Sequence, residues 1–277
     1  MRRTWLVLLL LTLGAAANAG AAAGAAQNPL HRDDGRPHRP LYFAVACAFS
    51  HRNTDDPIVY PGQSGRSHDH TFFGNTTTNA SSTPGSLRGE PTTCRLPEDT
   101  AAYWAPTLFV GDQPIEPTRA TVYYVRRTLE PVEPFPAGLK IIAGDARATS
   151  AQSQRVTFWS CGVYGRVAPS SSVPACAGGR RSALHLQVNF PNCWDGSRLD
   201  SANHKSHMTY SVSGSCPESH PVEVPAISLI IRYPVAGGQD AELSSGGQFS
   251  GHADFVNAWD QDALEFLVDR YLNRVRS

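Results

Sequence analysis

The chain has 277 residues, with 24 basic against 24 acidic side chains and 17% charged positions overall. Setting aside Arg2 and Arg3, which belong to a leader described next, the net charge is −2, and no basic stripe runs through the sequence. Nucleic acid is therefore excluded as a partner, and polyanion or membrane-surface binding has no support.

The N-terminus carries a positive start (Arg2, Arg3), an apolar run from Trp5 to Leu13, and the small-residue site Ala17-Asn18-Ala19. This is the pattern of a secretory signal peptide over residues 1–19, with cleavage as late as 26. The run is shorter than the ~20 apolar residues of a membrane span, so no span is expected after cleavage. Arg2-Arg3 leaves Sec and twin-arginine export both open. Residues 20–40 are Ala/Gly-rich, then polar, and read as a disordered lead-in. From Leu41 the character changes. Strands are expected at 41–49, 102–110, 120–127, 139–143, 155–161, 183–190 and 226–235. The clearest is 183–190, where Leu184, Leu186, Val188 and Phe190 alternate with His185, Gln187 and Asn189. Leu264, Leu267, Val268, Tyr271, Leu272 and Val275 recur at helical spacing, and Asp262 with Glu265 has the form of a capping box. The fold class that follows is mostly β: a single β-sandwich or jelly-roll-like domain over 41–277, closed by a C-terminal helix and expected as a monomer.

Six cysteines in an exported chain predict disulfides. The preferred pairing is sequential, Cys47–Cys94, Cys161–Cys176 and Cys193–Cys216, since short loops close most easily. No C-x-x-C pair, G-x-S-x-G elbow or phosphate-cradling glycine loop occurs; Gly178-Gly179 and Gly237-Gly238 lack the frame.

Chemistry concentrates in three histidine motifs. In Ser67-His68-Asp69-His70, an extended backbone points both imidazoles the same way. In His204-Lys205-Ser206-His207, a spacing of three places both rings on one side of a helical turn. In His252-Ala253-Asp254, imidazole and carboxylate again share a face if the segment is extended. Each pair alone is an ordinary set of loop hydrogen-bonding groups; three in one domain point to a shared site. The candidate catalytic residues are His68, His70, Asp195, His204, His207, His252 and Asp254. Trp194, Lys205 and Asn75 are candidates for substrate binding. No cofactor is required, although His68, His70, His204, His207 and His252 are of the type that holds a divalent metal. Asp195 before Gly196 also suits a turn, Asp55 and Asp56 read as turn and cap residues, and Trp104, Trp159 and Trp259 read as core.

At these motifs the chain resembles the DUF1996 family of secreted fungal and bacterial proteins. The resemblance is carried by Asp56-Pro57-Ile58-Val59, Ser67-His68-Asp69-His70 and Ala102-Tyr103-Trp104-Ala105-Pro106. It continues through Phe190-Pro191-Asn192-Cys193-Trp194-Asp195-Gly196, His204-Lys205-Ser206-His207, and His252-Ala253-Asp254-Phe255 with Trp259-Asp260. It implies secretion and a single domain; in fungal members the similar domain is found beside modules thought to bind cell-wall glycans. It implies no particular reaction. The Phe72-Phe73-Gly74-Asn75 turn is more aromatic than the fungal pattern.

Three functions fit these residues. The first is an extracellular or cell-wall polysaccharide-active enzyme, a hydrolase or lyase using a His/Asp site. The second is an extracellular metal-binding protein. The third is a non-catalytic wall-glycan-binding or structural module in which the polar motifs only order loops.

Overall fold

Ten strands with β-branched and aromatic inner faces assemble into two five-stranded antiparallel sheets. In chain order they are β1 (Tyr42–Cys47), β2 (Phe49–Asn53), β3 (His70–Gly74), β4 (Ala102–Pro106), β5 (Arg119–Val125), β6 (Lys140–Gly144), β7 (Thr157–Cys161), β8 (Leu184–Asn189), β9 (Ala226–Arg232) and β10 (His252–Val256). The computed structural model describes residues 41–162, 168–177, 182–238 and 240–274. The expected signal segment, the lead-in, Gly178-Gly179 and Val275 lie outside these described residues. The first sheet runs β1-β5-β9-β8-β7 and the second β2-β3-β4-β10-β6.

One core fills the space between the sheets. Val122 and Tyr124 of β5, Leu184, Leu186 and Val188 of β8, and Ile227, Leu229 and Ile231 of β9 meet Phe73, Tyr103, Ile141 and Phe255 of the second sheet. Truncating any of these to alanine would cost about 2–5 kcal/mol. A polar bridge crosses the same core. The Tyr103 and Tyr124 hydroxyls lie 2.6 Å apart, Tyr103 donates to buried Asp99 at 3.0 Å, and Trp259 Nε1 donates to Tyr124 at 2.8 Å.

The second sheet is covered on both faces. Its outer face carries Phe72, Ala102, Trp104 and Val256, which pack with Ile58 from an overlying loop and Leu87 from the short helix Pro84–Leu87. Every residue of β3, β4 and β10 is consequently buried. These strands therefore lack a polar–apolar alternation, and β3 and β10 are absent from the strands expected on periodicity.

The disulfides are Cys47–Cys94, Cys161–Cys176 and Cys193–Cys216, and no cysteine is free. The C-terminal helix α1 (Gln261–Leu267) continues into a wider π turn over Val268–Leu272 and buries Leu264, Val268 and Leu272. Its cap is Asp260, whose carboxylate accepts from Ala263 N at 2.9 Å, so Asp262 and Glu265 do not form the expected capping box. Among the described residues, no helix is long and apolar enough to cross a membrane.

Candidate metal centre and cleft

The outer face of the second sheet is also where the site lies. Register sets His70 opposite Pro106, Trp104 opposite Asp254, and His252 opposite Gly144, so His70, Trp104, His252 and Asp254 share that face. Gly144 adopts φ +82°, and a Cβ there would collide with the Gly251 carbonyl and the His252 backbone. Only glycine permits this close approach.

The loop before β3 brings in His68. Asp55 organises that loop: its Oδ1 accepts from Ser64 Oγ at 2.9 Å and Gly65 N at 2.8 Å, and its Oδ2 from Ala80 N at 3.1 Å. Asp69 is drawn away by Arg52 Nε at 3.1 Å and by the Thr107 hydroxyl. His68 and His70 are thus left on one side, with ring centroids 4.2 Å apart.

Hydrogen bonds fix which ring nitrogens are available. His70 Nδ1 lies 3.0 Å from the Asp55 carbonyl, and His252 Nδ1 lies 2.8 Å from the Ser250 carbonyl. A carbonyl only accepts, so both Nδ1 atoms carry the proton and both Nε2 atoms present a lone pair. His70 Nε2 is buried without a partner. His252 Nε2 lies 3.2 Å from His68 Nε2. One nitrogen from each of the three rings lies within 4.8 Å of the others. Burial drives the pKa of His68 down to about 4 and that of His252 to about 3, and burial also holds His70 well below the usual range. All three are neutral at pH 7, the form that binds metal.

Asp254 completes the cluster, with Oδ2 4.0 Å from His252 Nε2 and no hydrogen-bond partner. Burial, reinforced by the nearby Asp56 carboxylate, pushes its pKa well above the ordinary value. Trp104 Nε1 is a third unpartnered buried atom on this face.

Above the cluster opens a cleft of about 560 Å³, lined by His68, His252 and Asp254 together with Asp56, Tyr60, Arg147, His204 and Lys205. His204 adopts φ +56°, a left-handed conformation strained for a side-chain-bearing residue. Its Nδ1 lies 2.9 Å from Asp200 Oδ1, whose other oxygen is 3.4 Å from Lys140 Nζ. With the carboxylate accepting from Nδ1, His204 Nε2 is the ring atom left for proton exchange. Lys205 Nζ donates to the Gly144 carbonyl at 2.6 Å, next to the strand end that supports His252.

The remaining sequence candidates have other positions. His204 and His207 do not share a helical turn, because the left-handed residue reverses the chain between them. His207 is fully buried, donating from Nε2 to the Lys140 carbonyl at 2.7 Å and accepting at Nδ1 from Ser201 Oγ at 2.9 Å. Asp195 caps its own turn through Ser197 N and Arg198 N at 2.9 Å and pairs with Arg198 Nε at 2.6 Å. Burial opposes ionisation of Asp195, but these bonds outweigh it and lower its pKa to about 2. Trp194 Nε1 donates to the Arg198 carbonyl at 2.7 Å. Asn75 is fully buried and uses its side chain on Leu87 O, Thr100 O, Thr77 N and the Thr77 hydroxyl. Trp104, Trp159 and Trp259 are core. Tyr60 and Arg147 of the cleft were missed; neither belongs to a motif, and only the loop fold brings them in.

No curated protein and no solved structure matches the chain. A family model described as a domain of unknown function, DUF1996, does match, over residues 56–259. That span contains the whole histidine cluster and the cleft residues around it, and the chain belongs to this family.

Proposed function

We propose that this protein is a secreted, metal-dependent enzyme, a hydrolase or lyase, that acts on an extracellular or cell-wall polysaccharide. The observation that carries the reading is the convergence of the His68, His70 and His252 nitrogens, two of them locked as lone-pair donors by backbone carbonyls. Three imidazoles with a further position facing a cleft form the donor set of catalytic zinc, and Asp254 is the nearest carboxylate. A divalent ion there would acidify a bound water. His204, oriented by Asp200, would exchange the proton. The open cleft, with Tyr60 on its wall and Asp56, Arg147, His204 and Lys205 around it, suits a hydroxylated polymer. Three disulfides fit an oxidising, extracellular compartment.

The test is metal analysis joined to a depolymerisation screen. The purified mature protein should hold one divalent ion per chain, and His70→Ala should lose it. Release of reducing ends or unsaturated products from a panel of wall glycans should stop with a chelator and return with zinc. A metal-free protein that does not take up zinc, or turnover indifferent to chelation, would overturn the reading.

A further inference from the structure

A second pocket lies on the opposite side of the sandwich, on the outer face of the first sheet. It measures about 300 Å³, the small end of ligand sites. Asn189 at the end of β8 and Ser228 of β9 contribute from the sheet, and Arg127, Arg155, Asn192 and Tyr210 from the segments around it. The lining holds two arginines and no carboxylate. Arg127 makes no ion pair or hydrogen bond among the described residues. Arg155 has a single contact at the edge of hydrogen-bonding range, Nη2 to the Ser211 carbonyl at 3.3 Å.

The polar groups of the pocket are unbalanced. Tyr210 donates to the Asn189 carbonyl at 2.9 Å, and Ser228 donates to Asn189 Oδ1 at 2.6 Å. Asn192 is buried, at 3% exposure. Its Oδ1 accepts from Ser211 N at 3.1 Å, and its backbone N–H and carbonyl are used by Thr209 and Val224. Its Nδ2 is left as a buried donor with no partner. Arg127 thus has no acceptor among the described residues, Arg155 has only the Ser211 carbonyl, and Asn192 Nδ2 has none. A buried unpaired donor is costly, and guanidinium forks match planar oxyanions bidentately.

We propose that this pocket is a binding site for the carboxylate of an acidic sugar, a uronate residue, with Arg127, Arg155 and Asn192 Nδ2 as the donors. The surrounding hydroxyl, amide and ring groups of Ser228, Asn189, Tyr210 and Phe190 are of the kind that receive the hydroxylated carrier. The site is remote from the histidine cleft and does not depend on a metal. The sequence gives no sign of it, because two arginines 28 positions apart make no basic stripe.

The test is calorimetric titration of the mature protein with glucuronate, with sulfate and with glucose. Glucuronate should bind saturably, sulfate more weakly, and glucose not at all. Arg127→Ala and Arg155→Ala should each weaken glucuronate by roughly tenfold or more. Asn192→Asp, which keeps the acceptor for Ser211 N, should weaken it too by placing an oxygen where the donor was. His70→Ala should leave it unchanged, which separates this site from the metal centre. Arg127→Gln and Arg155→Gln serve the same purpose if an alanine variant folds poorly. Absence of saturable binding at about 10 mM glucuronate, or equal affinity in the arginine variants, overturns the site. Sulfate bound as tightly as glucuronate overturns the sugar assignment.

Discussion

Asp254→Asn should stabilise the metal-free protein and weaken its response to metal. Asp254 is 1% exposed, and its Oδ2 has no hydrogen-bond partner. Its folded pKa is raised by burial and by Asp56, with Lys205 only partly opposing them. The unfolded carboxyl therefore ionises at lower pH than the folded one, and the folded state binds more protons in between. Stability is present in full below the unfolded pKa and is lost as pH rises toward the folded value. At pH 7 the wild type carries the penalty of a buried, poorly paired acid, about 2 kcal/mol by the cost of one unsatisfied polar group. Asparagine keeps the shape without the ionisation. In chelator at pH 7 the variant should melt about 4–8 °C higher, taking roughly 2–4 °C per kcal/mol for a chain of this size. At pH 4 the gain should vanish. Zinc at a hundredfold excess over its dissociation constant should then stabilise the wild type by about 2.7 kcal/mol and the variant by less, closing or inverting the gap. The measurement is thermal unfolding by circular dichroism at both pH values, with chelator and with zinc. A variant less stable than wild type at pH 7 in chelator, or a gain equal at pH 4 and pH 7, would refute the assignment of Asp254 as a residue held at a cost to stability.

Three further outcomes follow from named contacts. His185 is buried and has its pKa lowered to about 4 by burial first, then by Arg232 and Arg119. Its stabilising neutrality is fully present above pH 6.5 and is lost as pH falls toward 4, by up to about 3 kcal/mol at 1.36 kcal/mol per unit. Urea midpoints from pH 7 to 4 should fall less steeply in His185→Leu than in wild type. Tyr124→Phe removes the closer of the two acceptors of Trp259 Nε1 and one partner of the Tyr103 hydroxyl, and should cost about 1–3 kcal/mol in urea titration with m unchanged. Replacing Cys193 and Cys216 together by serine should lower stability by about 3 kcal/mol and raise hydrogen exchange across 194–215; unchanged exchange there would show that the loop is held by turns such as that of Asp195 instead.

The legibility of this fold tracks which strands have a wet face. β8 and β9 alternate, and their inner residues could be named in advance because one side of the first sheet faces outward. β3 and β10 could not be recognised by period, since loops cover the far side of their sheet. The shared face of His68 and His70, and of His252 and Asp254, was nevertheless legible, because it needs only an extended backbone and no knowledge of what lies above. The His204–His207 spacing misled for a definite reason: it assumes right-handed helical backbone, and His204 is left-handed. One ring consequently lines the cleft while the other braces the Lys140 carbonyl. Asp195 and Asn75 look functional in the sequence because they sit in well-defined motifs, but their hydrogen bonds are spent on their own turns. The sequential disulfide pairing follows the ease of closing short loops.

Unpaired buried atoms, not the number of histidines, mark the candidate cluster. Folded proteins pair their buried polar atoms, and an isolated exception is tolerated as a local cost. Here His70 Nε2, Asp254 Oδ2 and Trp104 Nε1 are unpartnered on the same face of three neighbouring strands, β3, β10 and β4. Beside them two further imidazole nitrogens stand 3.2 Å apart. Loop-ordering residues behave in the opposite way: Asp55, Asn75, Asp195 and His207 each saturate their side chains with nearby backbone and hydroxyl groups. The chain thus saturates these four loop-ordering side chains, whereas three polar atoms are left unsatisfied together where they meet beneath the cleft. Apolar replacements at 70 and 254 would fit a sheet face already packed with Phe72 and Val256. Retaining an imidazole and a carboxylate there costs stability unless a cation and its bound water occupy the lone pairs, which is the condition the metal analysis examines.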